Sequence, residues 1–207
     1  KGFIKYGKRK YYCVNRYGHG EITTKQALAL SCNILFFEIG KEIDIDVLAD
    51  YAKRFGLGEK TNLIFSEQSG LVPTRKWKLE NKGERWWQGE TLSASIGQSF
   101  LLTTPIQIAR MIASIFEGYL VKPRILENEE IIKTPLNIKP KTLDFLKESM
   151  KSVVTEGTGK RVSKIRDINV SAKTGTAQTT ELQNKSNKTE FLAHAWFVAN
   201  FNYKENK

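Results

Sequence analysis

The sequence predicts an α+β domain in which helices come first and two strands come late. Three observations carry this reading. Segments between residues 24 and 155 place apolar residues at helical spacing behind recognisable caps. The stretches 168–172 and 195–201 gather β-branched, aromatic and small residues in strand-like runs. A chain of 207 residues at 40% hydrophobic content suits one domain around one substantial core.

Taken in order, residues 1–20 are rich in Tyr, Lys and Gly, and Gly18-His19-Gly20 reads as a turn into the first helix. From Thr24 the run with Ala27, Leu28 and Leu30 is helical. After Ser31-Cys32-Asn33 the segment 34–43 resumes the helix with apolar residues on most faces, which predicts burial. Asp44 or Asp46 caps the next helix, because a short carboxylate accepts the free N–H groups of a first turn, and Gly56 supplies a left-handed stop after Phe55. Residues 58–99 read as irregular and hold Trp77, Trp86 and Trp87 among polar neighbours, the last two covering the core or bordering a cleft. Thr104-Pro105-Ile106-Gln107 combines a capping box with Pro at the first helical position, and the helix it opens runs to Gly118. Past a strand or loop at 125–136, Pro140 starts an amphipathic helix whose Leu143, Leu146, Met150 and Val153 share a face, and Glu156-Gly157-Thr158-Gly159 ends it. The two strands follow, joined by a polar stretch at 179–189 that reads as an exposed loop.

Composition narrows the function classes. The excess of 33 Lys+Arg over 22 Asp+Glu gives a net charge of +11, yet the basic residues are scattered and no nucleic-acid module accompanies them, so no nucleic-acid partner is expected. No apolar run approaches the length of a membrane span and no leader pattern opens the chain, which predicts a soluble piece whose parent can carry an anchor upstream. The start at Lys1 and the polar end at 202–207 suggest a segment cut from a longer protein. Cys13 and Cys32 fit no metal-ligand spacing, so they read as free thiols, a single bridge between them staying open, and neither a metal nor another cofactor is expected. His19 and His194 read as turn or packing residues.

Two short motifs carry chemistry. In Ser171-Ala172-Lys173-Thr174-Gly175-Thr176-Ala177-Gln178 a lysine supplies positive charge, hydroxyls can bind a carboxylate, and a glycine lets a ligand lie against the backbone. Three of those residues recur by chance, and a plain packing strand is the competing reading. Ser31-Cys32-Asn33 taken alone is an ordinary helix cap. Together, a Ser-x-Asn element well upstream of a Lys-Thr-Gly strand forms the later part of a three-motif set whose first member is Ser-x-x-Lys.

Around these motifs the sequence resembles the class B penicillin-binding protein 2 family of peptidoglycan D,D-transpeptidases over most of its length. The resemblance runs in family order through Gly18-His19-Gly20, Ser31-Cys32-Asn33, Phe55-Gly56-Leu57-Gly58, Ser69-Gly70, Pro73-Thr74-Arg75-Lys76-Trp77 and Trp87-Gln88-Gly89-Glu90-Thr91. It continues through Ile96-Gly97-Gln98, Thr104-Pro105-Ile106-Gln107, the Lys173 motif and His194-Ala195-Trp196-Phe197. It implies a penicillin-binding, serine β-lactamase-like fold, an antiparallel sheet with packed helices, here incomplete at both ends. It implies cross-linking of D-Ala-D-Ala stem peptides through a serine acyl-enzyme, with β-lactams acylating the same serine. By position Ser31 would relay a proton and Asn33 would bond the substrate backbone. Lys173 would hold positive potential, Thr174 and Thr176 would bind the terminal carboxylate beside Gly175, and the Thr176 N–H would form half of an oxyanion hole. No Ser or Thr in the chain has Lys three positions on, so residues 1–207 are expected to be a partial transpeptidase domain that lacks the nucleophile and is inactive alone. Unpaired sheet edges would then make the isolated piece poorly stable. The implied partners are the stem peptide, β-lactam antibiotics and a glycosyltransferase of the elongation machinery. The implied location is the outer, periplasmic face of the cytoplasmic membrane. Two readings compete: a β-lactamase or β-lactam sensor, and a non-catalytic domain of the same fold.

Overall fold

The computed structural model describes residues 1–165, 168–177 and 193–202. Its first element is one the sequence reading passed over. The alternating residues on either side of Gly7 fold into an antiparallel hairpin, β1 (Phe3–Tyr6) and β2 (Arg9–Tyr12), with Tyr6 opposite Arg9 and Gly7 left-handed in the turn. The turn expected at Gly18-His19-Gly20 falls slightly earlier, at residues 15–18, where the Gly18 N–H bonds the Asn15 carbonyl. The chain then runs through His19 and Gly20 to α1 (Thr24–Ala29), whose N-cap Thr23 and Gln26 form a capping box.

Helix α2 (Asn33–Glu42) buries Phe37 and Gly40 but leaves Ile39 43% exposed, so the burial expected for this segment holds for one face. Asp44 caps α3 (Ile45–Arg54) by accepting from the Asp46 N–H, and Gly56 stops it with φ 79, both as expected. The stretch expected to be irregular holds two helices, α4 (Arg75–Lys82) and α5 (Gln88–Ala94). Their sequences lack an apolar stripe because the anchors are unusual: Lys78 is buried against Glu90, Trp86 and Phe100. Trp86 joins the core, while Trp87 is half exposed beneath Arg85.

Helix α6 (Pro105–Glu117) starts at the Thr104 capping box and ends at left-handed Gly118. Gln107 of that box is fully buried, and its Nε2 also donates to the Glu59 and Ser69 carbonyls at 2.6 and 2.8 Å, so one cap ties down two loops. The hairpin β3 (Tyr119–Val121) and β4 (Lys133–Pro135) follows, then α7 (Pro140–Thr155) and a 3-10 turn at Lys160–Lys164. The last pair is β5 (Asn169–Ala177) and β6 (His194–Asn202), antiparallel with Lys173 opposite Val198. The Lys-Thr-Gly residues thus lie inside a strand longer than expected. Gln178 and the expected loop at 179–189 lie outside the described residues.

The result is α+β, as read, with three two-stranded antiparallel sheets among the described residues. Two close joints set the site. Gly40 lets α2 approach α5, where a Cβ would sit 3.1 Å from the Leu92 Cα. Gly157 lets the end of α7 press on the last turn of α1, where a Cβ would strike the Ala29 carbonyl oxygen. Ala172 of β5 is fully buried, and Val198 of β6 packs on the cluster of Ile112, Ile115 and Met150 from α6 and α7.

Candidate active site

Helix α1 ends in a paired stop: the Ser31 N–H reaches the Leu28 carbonyl at 3.3 Å and the Cys32 N–H reaches the Ala27 carbonyl at 2.8 Å. The residue that turns left-handed in such a stop is usually glycine, as at Gly56, where the same two bonds recur. Here it is Ser31, with φ 52. The hydroxyl is therefore carried on a strained backbone, which marks a position kept for its side chain. The cap reading of this motif is corrected. Cys32 stands at the N-cap of α2 without a side-chain cap bond, and Asn33 turns its carboxamide to the Tyr12 carbonyl of β2 at 3.2 Å.

Lys173 arrives from β5. Its Nζ lies 2.5 Å from Ser31 Oγ and 2.8 Å from the Thr174 carbonyl. Burial alone lowers the Lys173 pKa to about 8, close enough to neutrality for the amine to give or take a proton across Ser31. The sign follows from the shift: the folded chain holds this proton less tightly than the unfolded one, so the penalty is present below about 8 and fades toward 10.5.

Thr174 has a partner the sequence reading did not name. Its Oγ1 lies 2.6 Å from Thr158 Oγ1, and the Thr158 N–H bonds the Ala29 carbonyl at 3.1 Å, so the loop after α7 joins α1 to the Lys-Thr-Gly strand. The only sequence signal was a hydroxyl between two glycines at a helix end. Gln98 is a second missed residue: its Nε2 donates to the Thr176 carbonyl at 3.2 Å. At Gly175 a Cβ would stand 3.4 Å from the Trp196 Cβ, so the missing side chain also serves strand packing. The structure therefore brings together Ser31, Lys173 and Thr174, holds Thr176 beside Gln98, and ties Asn33 to β2 at the same α1–α2 junction.

Cys32 points the other way, into the protein. Its thiol, that of Cys13 and the His19 ring place their donor atoms within 4.8 Å of one another, with Cys13 Sγ 3.6 Å from His19 Nδ1. Both cysteines are buried and free, and burial pushes the Cys32 thiol up despite the Leu35 and Ile34 N–H groups beneath it. Two thiols and an imidazole form a donor set suited to a soft divalent ion such as zinc, which would supply charge and a rigid link between β2 and the Ser31 turn. The turn at residues 15–18 brings His19 back to Cys13 locally, whereas Cys32 reaches them only through the packing of the α1–α2 junction, which no spacing in the sequence shows.

The penicillin binding protein transpeptidase domain family matches residues 2–207. The chain is similar to the peptidoglycan D,D-transpeptidase MrdA of Acinetobacter baumannii, at 32% identity over 174 residues that cover 78% of this chain and 26% of that protein. Its fold is similar to PBP2 from Helicobacter pylori, with a TM-score of 0.86 at 30% identity over 96% of this chain and 37% of that one. That protein has also been solved in a complex with MreC. A peptidoglycan synthase complex that coordinates polymerization and crosslinking contains a similar chain, with a TM-score of 0.79 at 32% identity over 87% of this chain and 32% of that one. The chain thus spans only a minor part of its relatives. Among the described residues no helix is long and apolar enough to cross a membrane.

Proposed function

The chain belongs to the penicillin binding protein transpeptidase domain family, and from that premise we propose that it is part of a peptidoglycan D,D-transpeptidase whose nucleophilic serine lies outside these residues. The observation that carries the reading is the 2.5 Å contact between Lys173 Nζ and Ser31 Oγ, made across 142 residues of chain at a half-buried point. A lysine with a lowered pKa hydrogen-bonded to a serine hydroxyl is a proton path. In the proposed reaction the nucleophile's oxygen attacks the carbonyl of the D-Ala-D-Ala bond, and its proton passes to the leaving D-Ala amine through Ser31, with Lys173 holding the relay in place. The acyl group then moves to the amine of a neighbouring strand, whose proton returns along the same path.

The remaining roles follow from position. The Thr174 hydroxyl, steadied by Thr158, and the Thr176 hydroxyl receive the terminal carboxylate. Lys173 adds positive potential, which strengthens such bonds. The Thr176 N–H faces the developing oxyanion, and the carboxamide of Asn33 bonds the donor's backbone from the opposite wall. The edge of β5 takes the stem peptide as an added strand. We place residues 1–207 as a partial domain, the parent at the outer face of the cytoplasmic membrane, and a partner that polymerizes glycan strands beside it. The synthase complex, which coordinates polymerization and crosslinking, supports the last point.

The test is intact mass of the parent protein after incubation with benzylpenicillin. One stable adduct is expected on the parent and none on the present chain, and Lys173→Ala should slow adduct formation by about 100-fold or more. A folded parent that takes no adduct would make this a non-catalytic domain, and fast release of hydrolysed penicillin would make it a β-lactamase.

A further inference from the structure

The loop after α5 is built to deliver one side chain. The Gly97 N–H bonds the Ala94 carbonyl at 2.9 Å and the Gln98 N–H bonds the Ser93 carbonyl at 3.0 Å, with Gly97 left-handed at φ 77. Ser99 is left-handed too, at φ 70, where a residue other than glycine is strained. Between these two turns Gln98 reaches β5 and donates to the Thr176 carbonyl. On a strand, residues two apart present their backbone groups to the same side. The Thr174 carbonyl, two residues before, is likewise taken by a side chain, the Lys173 amine. Both acceptors therefore lie on the edge of β5 away from β6, and each is capped from within the protein. No other strand covers that edge among the described residues.

We infer that Gln98 is the cleft's own stand-in for the backbone N–H of the acyl donor: its carboxamide pairs the Thr176 carbonyl in the free enzyme and gives it up when a peptide-like ligand binds. Gln98 is thus a specificity-determining residue for ligands that carry an N–H at this position. The inference rests on the transpeptidase reading above. Its logic is an exchange of hydrogen bonds. A ligand N–H replaces the Gln98 N–H at the same acceptor and gains little, while a ligand without one leaves Gln98 in place.

Two donor-free variants of similar length, Gln98→Leu and Gln98→Met, in the full-length protein test this. The probes are benzylpenicillin, whose exocyclic amide bears the N–H, and penicillanic acid, the same ring system with no substituent at that carbon. The acylation rate with benzylpenicillin should rise about 3- to 10-fold, the worth of one neutral hydrogen bond, and that with penicillanic acid should stay unchanged. A merely structural role would move both rates together, and rates that move in parallel, or a benzylpenicillin rate that stays still or falls, overturn the inference. Absence of acylation in the unsubstituted protein would instead remove the transpeptidase reading, and this inference with it.

Discussion

Ser31 occupies a backbone conformation that favours glycine, and no packing need explains the choice, because its side chain points to Lys173. Strain of this kind is held where the side chain is used. Ser31→Gly separates the two demands. The variant should be more stable by about 1 kcal/mol, as a left-handed residue loses its Cβ, and slower in acylation by about 100-fold, as the hydroxyl proposed to relay the proton is gone. Urea denaturation and benzylpenicillin acylation of the full-length protein read the two effects. A loss of stability would mean that the hydroxyl's bond to Lys173 outweighs the strain.

Between the elements, loops are held by single polar side chains that accept or donate several times. Glu67 is the clearest case: its carboxylate takes the N–H groups of Thr61, Asn62, Leu63 and Ile64 together with the Thr61 hydroxyl. Desolvation pushes its pKa up, but these donors outweigh it and hold the group at about 2. A carboxyl held below its ordinary 4.5 stabilises the loop fully above that pH, and the contribution is lost as pH falls through about 2. Hydrogen exchange at residues 61–64 should lose protection across that window. Glu67→Gln should exchange faster at pH 7 and lose this acid dependence, and an unchanged profile would place the loop's order elsewhere.

At the scale of the whole molecule, the site depends on the loop after α7, which touches both α1 and β5. The end of α7 presses on Ala29 through Gly157, and the same loop sends Thr158 to Thr174 of β5. Anything that parts α1 from α7 should therefore displace Ser31 from Lys173, although neither residue is touched. Gly157→Ala puts a methyl group against the Ala29 carbonyl oxygen and the Val153 Cα. Overpacking of that kind costs about 1–3 kcal/mol. Thermal denaturation should show the loss, and acylation should fall with it. A destabilised variant that acylates at the normal rate would show that the α1–α7 contact does not position Ser31.

Much of this was determined by the sequence alone. The helices α3, α6 and α7 were legible because their starts and stops are local: Asp44 and Gly56, Thr104 with Gln107 and Gly118, Pro140 and the Gly157 turn each act within a few residues. The Ser31 and Lys173 motifs were legible as a pair through a family resemblance in block order. The hairpin β1–β2 and helices α4 and α5 were not read, because they are anchored by distant partners: Tyr11 bonds the Gly89 carbonyl, and Lys78 lies among Glu90, Trp86 and Phe100. Only the tertiary structure decided which groups meet. Thr158 with Thr174, Gln98 with Thr176 and Cys32 with Cys13 carry no local pattern, since a contact between remote residues is set by how the elements pack, while a cap is set by the free N–H groups beside it.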